Sequence, residues 1–290
     1  MERVKHDGEK VNIQCLTPKT VGEHRAYLFE MVKLKLWFVW HWLRKHPDEE
    51  CSFVLRERVD IYRKTDINDE TMNPVTLHFD DPRWLELEWS LTRLYDEWHD
   101  DVSVERFERE GFEICRPQIE ARVVRDFEER PYVLDYQCGC LKYDPPYKQW
   151  PHRVWFHIAN PLMPCSIFDD PGYVPGCLRD LMTRSAAEFD VYELGTNTWL
   201  NSYSRWSEYF PDEWRNNLGP EIKDVKWHFG FWGQFLTARG TFNERNGRQL
   251  RETGEFPFWP RQAWCTFEAL RKHLGKMNNA KAQRRRGRGE

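Results

Sequence analysis

The chain has 290 residues, of which 40% are hydrophobic and 31% charged, a composition that excludes a disordered chain and a protein with several membrane spans. Its net charge of −4 is uneven, since residues 276–290 carry +5 and the preceding 275 carry −9. We therefore expect an acidic body that does not bind nucleic acid, followed by a basic, disordered tail over 276–290.

The first half of the chain is predicted to mix helices with strands. A helix over 20–43 contains a strongly apolar run that is too short and too charged to span a membrane, so we expect a core helix and no membrane span. Trp84–Trp98 has the period of an amphipathic helix. Alternation and turn residues predict strands over 11–15, 53–63, 112–115, 119–127, 132–143 and 153–160.

The second half is predicted to be mainly helical. Helices are expected over 173–189, 202–209, 225–239, 243–252 and 261–274, with a strand or loop over 193–201. This order favours an α+β class, in which a mainly antiparallel sheet from residues ~11–160 is packed by helices and followed by a helix-rich C-terminal half. We expect a single globular domain over 1–275, sheet-rich in 1–160 and helix-rich in 161–275.

The eight cysteines indicate free thiols rather than a disulfide scaffold. The first ten residues are charged and lack the apolar segment of a secretory signal, so we expect a cytoplasmic protein. Cys138 and Cys140 are two residues apart on a predicted strand and could share a metal, but no second cysteine pair has ligand spacing. The sequence therefore predicts no cofactor.

Iron or zinc stays an alternative cofactor. The pattern His-x-Asp occurs at 46–48, 78–80 and 99–101 and fits two ligands of a non-haem iron site. Chance produces such pairs in a chain with this many acidic residues, so the pattern is weak. A metal-dependent oxygenase or hydrolase is accordingly the second enzyme hypothesis.

Two segments carry the candidate catalytic histidines. On a helix over 225–239, His228, Trp232 and Arg239 would share one face, although His228 and Arg239 would lie about 16 Å apart. On a strand over 153–160, alternation places Arg153, Trp155 and His157 on one face and apolar residues on the other.

A cleft between these segments would hold a small organic substrate. We predict that His228 and His157 act as acid and base, and that Arg239 holds an anionic group. The other predicted substrate-binding residues are polar or aromatic side chains that would orient the substrate or exclude water: Arg153, Asn160, Asn197, Asn201, Trp155, Trp199, Trp232 and Gln234.

The resulting hypothesis is a soluble enzyme of lyase, isomerase or hydrolase type with an aromatic-lined cleft. A non-catalytic, aromatic-rich binding or assembly protein is the alternative from another class, because the chain has 15 Trp, 18 Phe and 11 Tyr. The oligomeric state stays open, and a homodimer is one option.

Overall fold

The computed structural model describes residues 2–4, 10–12, 20–59, 61–68, 77–98, 103–128, 136–227 and 230–286, with side chains described only within residues 20–277. The described residues form an α+β protein, which confirms the predicted class. The chain divides into two compact units. We call them the sheet unit (Met1–Leu16, Asp135–Lys223 and Phe258–Glu290) and the helical unit (Thr17–Leu134 and Asp224–Pro257).

The strands and helices are as follows, in chain order within each type. The strands are β1 (Glu2–Val4), β2 (Lys10–Asn12), β3 (Leu141–Asp144), β4 (Arg153–Ile158), β5 (Glu193–Thr198) and β6 (Arg261–Thr266). The helices are α1 (Val21–Lys45), α2 (Cys51–Glu57), α3 (Pro82–Trp98), α4 (Val104–Glu128), α5 (Tyr173–Glu188), α6 (Ser204–Ser207), α7 (Asp212–Asn216), α8 (Glu244–Thr253) and α9 (Phe267–Arg286).

The helical unit is organised around α1 and α4. Thr20 begins α1 with a capping box, in which its hydroxyl accepts from the Glu23 backbone N–H and the Glu23 carboxylate accepts from the Thr20 backbone N–H. Most of the apolar run of α1 is buried, and α4 packs along it while α3 packs on α4. The run is therefore core rather than membrane, as the sequence predicted.

The sheet unit contains a four-stranded mixed sheet in the order β3-β4-β5-β6, and β1 and β2 form a separate antiparallel pair. Between β4 and β5 the chain passes through α5, and a helical crossover of this kind joins parallel strands. The other neighbours in the sheet are antiparallel. Two of the three pairings are therefore antiparallel, but the expectation that the sheet comes from residues ~11–160 is wrong, because β5 and β6 come from the second half.

The core of the sheet unit lies on one side of this sheet. Phe156 of β4 is buried against Trp206 and Trp214, and the rings of Phe210 and Trp214 stack with centroids 3.9 Å apart. These aromatic side chains are almost fully buried and contribute a large share of the apolar area that stabilises the unit. Strand β4 is thereby fixed with one face towards the core.

Three predicted strands in the helical unit are wholly or partly helical: 53–63, 112–115 and 119–127. Helix α2 contains residues 53–57 of the first predicted strand, and α4 contains all of residues 112–127. The buried positions of α4 explain the error, since Phe112, Cys115, Ile119 and Val123 recur every three or four residues, which is a helical period. Short β-branched stretches within this longer period favoured strands locally, and packing against α1 decides the helix.

The helix predicted over 225–239 is also wrong. Its described part contains a 3₁₀ helix over Phe231–Phe235, and Gly230 before it has a φ of 74°. Glycine adopts this left-handed conformation at little cost, and a continuous α-helix cannot pass through it. Helical spacing therefore does not relate Arg239 to the residues before Gly230.

Helix α9 continues to Arg286 and so extends into the segment 276–290, for which a basic, disordered tail stays a prediction. Of the helices described, none has the length and apolar character needed to cross a membrane.

Candidate active site

The two faces of the four-stranded sheet differ in chemistry. One face is apolar and packs on the core, and we call the opposite side the polar face. Strand alternation and register place the following residues there: Lys142, Asp144, Arg153, Trp155, His157, Glu193, Gly195, Asn197, Gln262, Trp264 and Thr266.

A histidine–aspartate pair occupies the part of the polar face where β3 adjoins β4. Nε2 of His157 lies 2.6 Å from Oδ2 of Asp144, and Nζ of Lys142 lies 3.8 Å from the other carboxylate oxygen. The hydrogen bond from His157 is the main cause of a lowered pKa at Asp144, and the charge of Lys142 adds to it. Asp144 is therefore ionised at neutral pH.

The ionised state of Asp144 determines which nitrogen of a neutral His157 ring carries the proton. An ionised carboxylate can only accept a hydrogen bond, so Nε2 of the imidazole carries the donated proton. In the neutral ring, Nδ1 is then an acceptor and a base. Because the His157 side chain is 56% exposed, the ring is accessible to a substrate.

Trp155 precedes His157 by two residues and lies on the same face. Its ring packs on Trp150 with centroids 5.2 Å apart, and it covers Gly195 in the neighbouring strand. Trp155 is only 8% exposed, and its Nε1 has no hydrogen-bond partner among the described residues. A buried N–H without a partner is unusual and costs free energy.

Asn197 brings an acceptor to the same region. Trp155 is opposite Gly195 in the last residue pair of the parallel strands β4 and β5, and Asn197 follows Gly195 by two residues in β5. Oδ1 of Asn197 is buried and has no donor within the part of the chain that the structure describes. The polar face thus carries an exposed histidine–aspartate pair and two buried polar atoms that lack partners among the described residues.

Replacing Gly195 by alanine is expected to lower the free energy of unfolding by about 1–3 kcal/mol. The new Cβ would lie 3.0 Å from the Ala263 backbone oxygen and 3.2 Å from both Trp155 Cζ3 and Trp264 Cβ. Urea denaturation measures the effect. The control is Gly275→Ala in α9, where no atom lies within 4 Å of the added Cβ and alanine favours the helix. Equal stability of Gly195→Ala and the unmodified protein would contradict this packing.

Other residues of the sheet unit that were predicted to bind substrate make their contacts within the protein. The Arg153 guanidinium pairs with Glu193 at 2.8 Å and stacks on the Trp264 ring at 3.9 Å. The Asn160 amide donates to the Cys165 carbonyl and accepts from the Leu162 N–H, which holds a turn. Both side chains therefore have structural contacts that account for them.

Asn201 and Trp199 follow β5 in a 3₁₀ helix. Asn201 is 2% exposed, and its amide donates to two backbone carbonyls and accepts from the indole of Trp206. Trp199 packs against Tyr203 and Phe258. We leave both out of the candidate site, because Asn201 has no free polar atom and Trp199 belongs to an aromatic cluster.

The remaining predicted site residues fall in the helical unit. Trp232 and Gln234 are buried, and each donates to a backbone carbonyl. Arg239 is 66% exposed and lies 3.6 Å from Glu23. His228 lies outside the described residues, so its role as acid or base stays a prediction.

A groove of about 570 Å³ in the helical unit is a second possible location. Its charged side chains pair with one another, as Arg251 does with Glu108 at 2.9 Å and Arg116 with Glu113 at 3.1 Å. None of the residues predicted to form the site lines it. We therefore place the candidate site on the polar face.

Asp144, Lys142 and Gly195 were missed by the sequence reasoning. Alternation in the segment Leu141–Asp144 would have put Lys142 and Asp144 on one face, but only the register of β3 against β4 relates them to His157. A glycine is needed at position 195 because the Trp155 ring packs closely against it. These are contacts between strands, which the pattern within one strand does not reveal.

The described residues include no group of three His, Cys, Asp or Glu side chains that could hold a metal ion. His99 and Asp101 of one predicted iron motif lie outside the described residues. Cys138 and Cys140 flank the turn at Gly139, and both are fully buried. Burial raises the pKa of Cys138, which leaves this thiol protonated and unreactive.

No family model, curated protein or solved structure matches this chain. The polar face and its histidine–aspartate pair are therefore the basis for the functional conclusion.

Proposed function

We propose that the protein is a hydrolase of small, uncharged acyl compounds, with His157 as its general base. The observation that carries the proposal is the 2.6 Å hydrogen bond between His157 and the ionised Asp144, which in a neutral imidazole puts the proton on Nε2 and leaves Nδ1 of this exposed ring as the acceptor. A histidine oriented by a carboxylate is a recurring acid–base arrangement in acyl transfer.

In this proposal, His157 activates a water molecule. Nδ1 takes a proton from the water as its oxygen bonds to the acyl carbon, and the resulting imidazolium is stabilised by Asp144. The imidazolium then returns the proton to the leaving group as its bond to the acyl carbon breaks.

Lys142 is a positioning residue in this scheme. Its ammonium lies near the Asp144 oxygen that His157 does not use, and so favours the ionised carboxylate. An ionised Asp144 keeps the proton of the neutral imidazole on Nε2. Lys142 therefore affects the reaction indirectly, by keeping Asp144 ionised.

The other functional hypotheses stay predictions. These are catalysis by His228, a metal-dependent oxygenase or hydrolase, a non-catalytic binding or assembly protein, and a cytoplasmic location. The present proposal needs only residues of the sheet unit and water as the second reactant.

Replacing His157 by alanine is expected to reduce the kcat/KM for p-nitrophenyl acetate by about 100-fold or more, the usual contribution of a general base. Asp144→Asn should lower it by at least about 10-fold, because an amide can stabilise the wrong tautomer. Release of p-nitrophenol by the full-length protein measures both.

His273→Ala is the matched control, because this exposed histidine bonds to a backbone carbonyl rather than a carboxylate. Its rate should equal that of the unmodified protein. The proposal is wrong if the unmodified protein is no faster than buffer, or if His157→Ala keeps the full rate.

A further inference from the structure

Helix α9 changes character along its length. The side chains of its first half that pack on the core recur with helical spacing and are Phe267, Leu270, Leu274 and Met277. The next positions of the same stripe, 281 and 284, are Lys and Arg. The second half of α9, which continues to Arg286, therefore has no apolar stripe with which to pack on the core.

The charges of this part of the chain are almost all positive. We call residues 271–290 the basic segment. It carries +7, with Glu290 as its only acidic residue, while the preceding 270 residues carry −11. The basic residues of the segment are Arg271, Lys272, Lys276, Lys281, Arg284, Arg285, Arg286 and Arg288. A segregation of charge this strong is typical of a segment that binds a polyanion.

The basic segment begins on the part of α9 whose side chains are described. Arg271, Lys272 and Lys276 are all exposed, and neither lysine forms an ion pair among the described residues. Cations stabilise the last turn of a helix, but these three lie ten residues or more before Arg286. The helix terminus therefore does not account for them.

The distribution of the basic residues along α9 fits a long polyanion. Arg271 and Arg286 are fifteen residues apart, which is about 22 Å along a helix. Successive helical positions differ by about 100°, so positions 284–286 alone cover more than half of the circumference. A helix with cations on several sides suits the major groove of B-form DNA, which admits an α-helix between two phosphate backbones.

Other polyanions fit this helix less well. A helix that lies on an anionic membrane buries an apolar face in the lipid, and after Met277 the segment has no apolar residue larger than alanine. The major groove of an RNA duplex is too deep and narrow for side chains to read. Five of the eight cations are arginines, which bind phosphate through two hydrogen bonds at once.

We propose that the basic segment binds the phosphate backbones of double-stranded DNA without sequence preference. The acidic remainder of the chain repels phosphate, but Met277 and Arg286 are about 14 Å apart along the helix. This distance exceeds the Debye length of about 10 Å at 0.1 M salt, so the repulsion is largely screened at the end of α9. The site is independent of the proposed hydrolase function.

Binding of the full-length protein to a fluorescein-labelled DNA duplex of random sequence, about 20 base pairs long, tests the proposal by anisotropy. We expect micromolar binding at about 50 mM salt. The logarithm of the binding constant should fall against the logarithm of the salt concentration with a slope of about −4 or steeper, since each neutralised phosphate contributes about −0.9. Absence of binding, or a slope near zero, overturns the proposal.

A triple variant removes half of the net cationic charge at the end of the helix. Arg284→Gln, Arg285→Gln and Arg286→Gln together should weaken DNA binding at least about 10-fold and make the salt slope shallower by about 2.7. Glutamine favours a helix nearly as well as arginine, and all three positions follow Met277, so the melting temperature should stay the same.

The matched control changes the net charge by the same amount elsewhere on the surface. It combines Arg109→Gln, Arg116→Gln and Arg215→Gln, three arginines whose side chains are about half exposed or more. Its DNA binding should weaken by at most about threefold, because only long-range charge is altered. Equal losses of affinity in the two triple variants would contradict a site in the basic segment.

Competition with other polyanions tests the choice of double-stranded DNA. Unlabelled duplex should displace the probe more effectively than phosphatidylserine vesicles or one of its own strands at the same phosphate concentration. Stronger competition by the vesicles or by the single strand would overturn the assignment. His157→Ala should bind the duplex as tightly as the unmodified protein, which separates this proposal from the hydrolase.

Discussion

Replacing Arg58 by alanine is expected to lower the free energy of unfolding by about 3–5 kcal/mol, the range found when one partner of a buried ion pair is removed. The guanidinium is 9% exposed and donates to Glu49 at 2.7 Å, to Asp224, and to the Val225 carbonyl at 2.9 Å. It also stacks on the Trp42 ring at 5.1 Å. Alanine would leave two carboxylates and a carbonyl without this donor and would remove the packing of the side chain.

Urea denaturation of the full-length protein measures this loss. Arg58→Lys should fall between alanine and arginine, because an ammonium keeps the charge but not the planar set of donors. Arg116→Ala is the matched control, since its pair with Glu113 is about half exposed on both sides and should contribute less than about 1 kcal/mol. A loss at Arg58 no larger than that at Arg116 would contradict the structural role of Arg58.

The Arg58 contribution should also depend on pH. Burial alone would raise the pKa of Glu49, but hydrogen bonds from Arg58 and Trp42 outweigh it and lower the pKa below the ordinary value. Stability from this pair is therefore present above the unfolded glutamate pKa of about 4.3 and is lost as the pH falls through the lower folded value. The difference between the unmodified protein and Arg58→Ala should shrink in that acidic range.

Asn201→Leu is expected to lower the free energy of unfolding by about 3 kcal/mol, because two buried groups and one partly buried group lose their hydrogen-bond partner. The amide donates to the carbonyls of Thr196 at 3.1 Å and Arg261 at 2.7 Å, and its oxygen accepts from the Trp206 indole at 3.1 Å. Leucine is similar in size but satisfies none of them. The result should be a lower denaturation midpoint.

Asn201→Asp and Asn160→Ala calibrate this effect. Aspartate keeps an oxygen for Trp206 but has no N–H for the two carbonyls, so its loss should still be substantial. Asn160 lies in a partly exposed turn and should contribute less than about 1 kcal/mol. A stable Asn201→Leu protein that has lost only activity would instead support the substrate-orienting role that the sequence suggested.

The sequence predicted well those elements whose own period decides their structure. Helix α3 has a clear apolar stripe, and β4 is a short run rich in β-branched and aromatic residues, so both were placed within a few residues. The α+β class followed from such elements. Helix α4 was mistaken for strands because short β-branched stretches were judged separately from the longer period that includes Phe112 and Val123.

The candidate site could be predicted only in part. His157, Trp155 and Asn197 were identified from the strand pattern and from polar groups beside a tryptophan. Asp144 could not be assigned, because its relation to His157 depends on the register between β3 and β4. Asn201 and Asn197 are both asparagines, but the Asn201 amide makes all its hydrogen bonds within the protein. Nothing in the local sequence predicts this difference.

The proposed function requires that Asp144 holds the proton of the neutral His157 ring on Nε2, so that Nδ1 is the base. The nitrogen chemical shifts of this imidazole test this requirement most directly. In ¹⁵N-labelled protein at a pH where the ring is neutral, we expect a protonated Nε2 and an unprotonated Nδ1, with His157→Ala providing the assignment. Asp144→Asn should reduce the preference for this tautomer. A neutral ring protonated on Nδ1 in the unmodified protein would contradict the account.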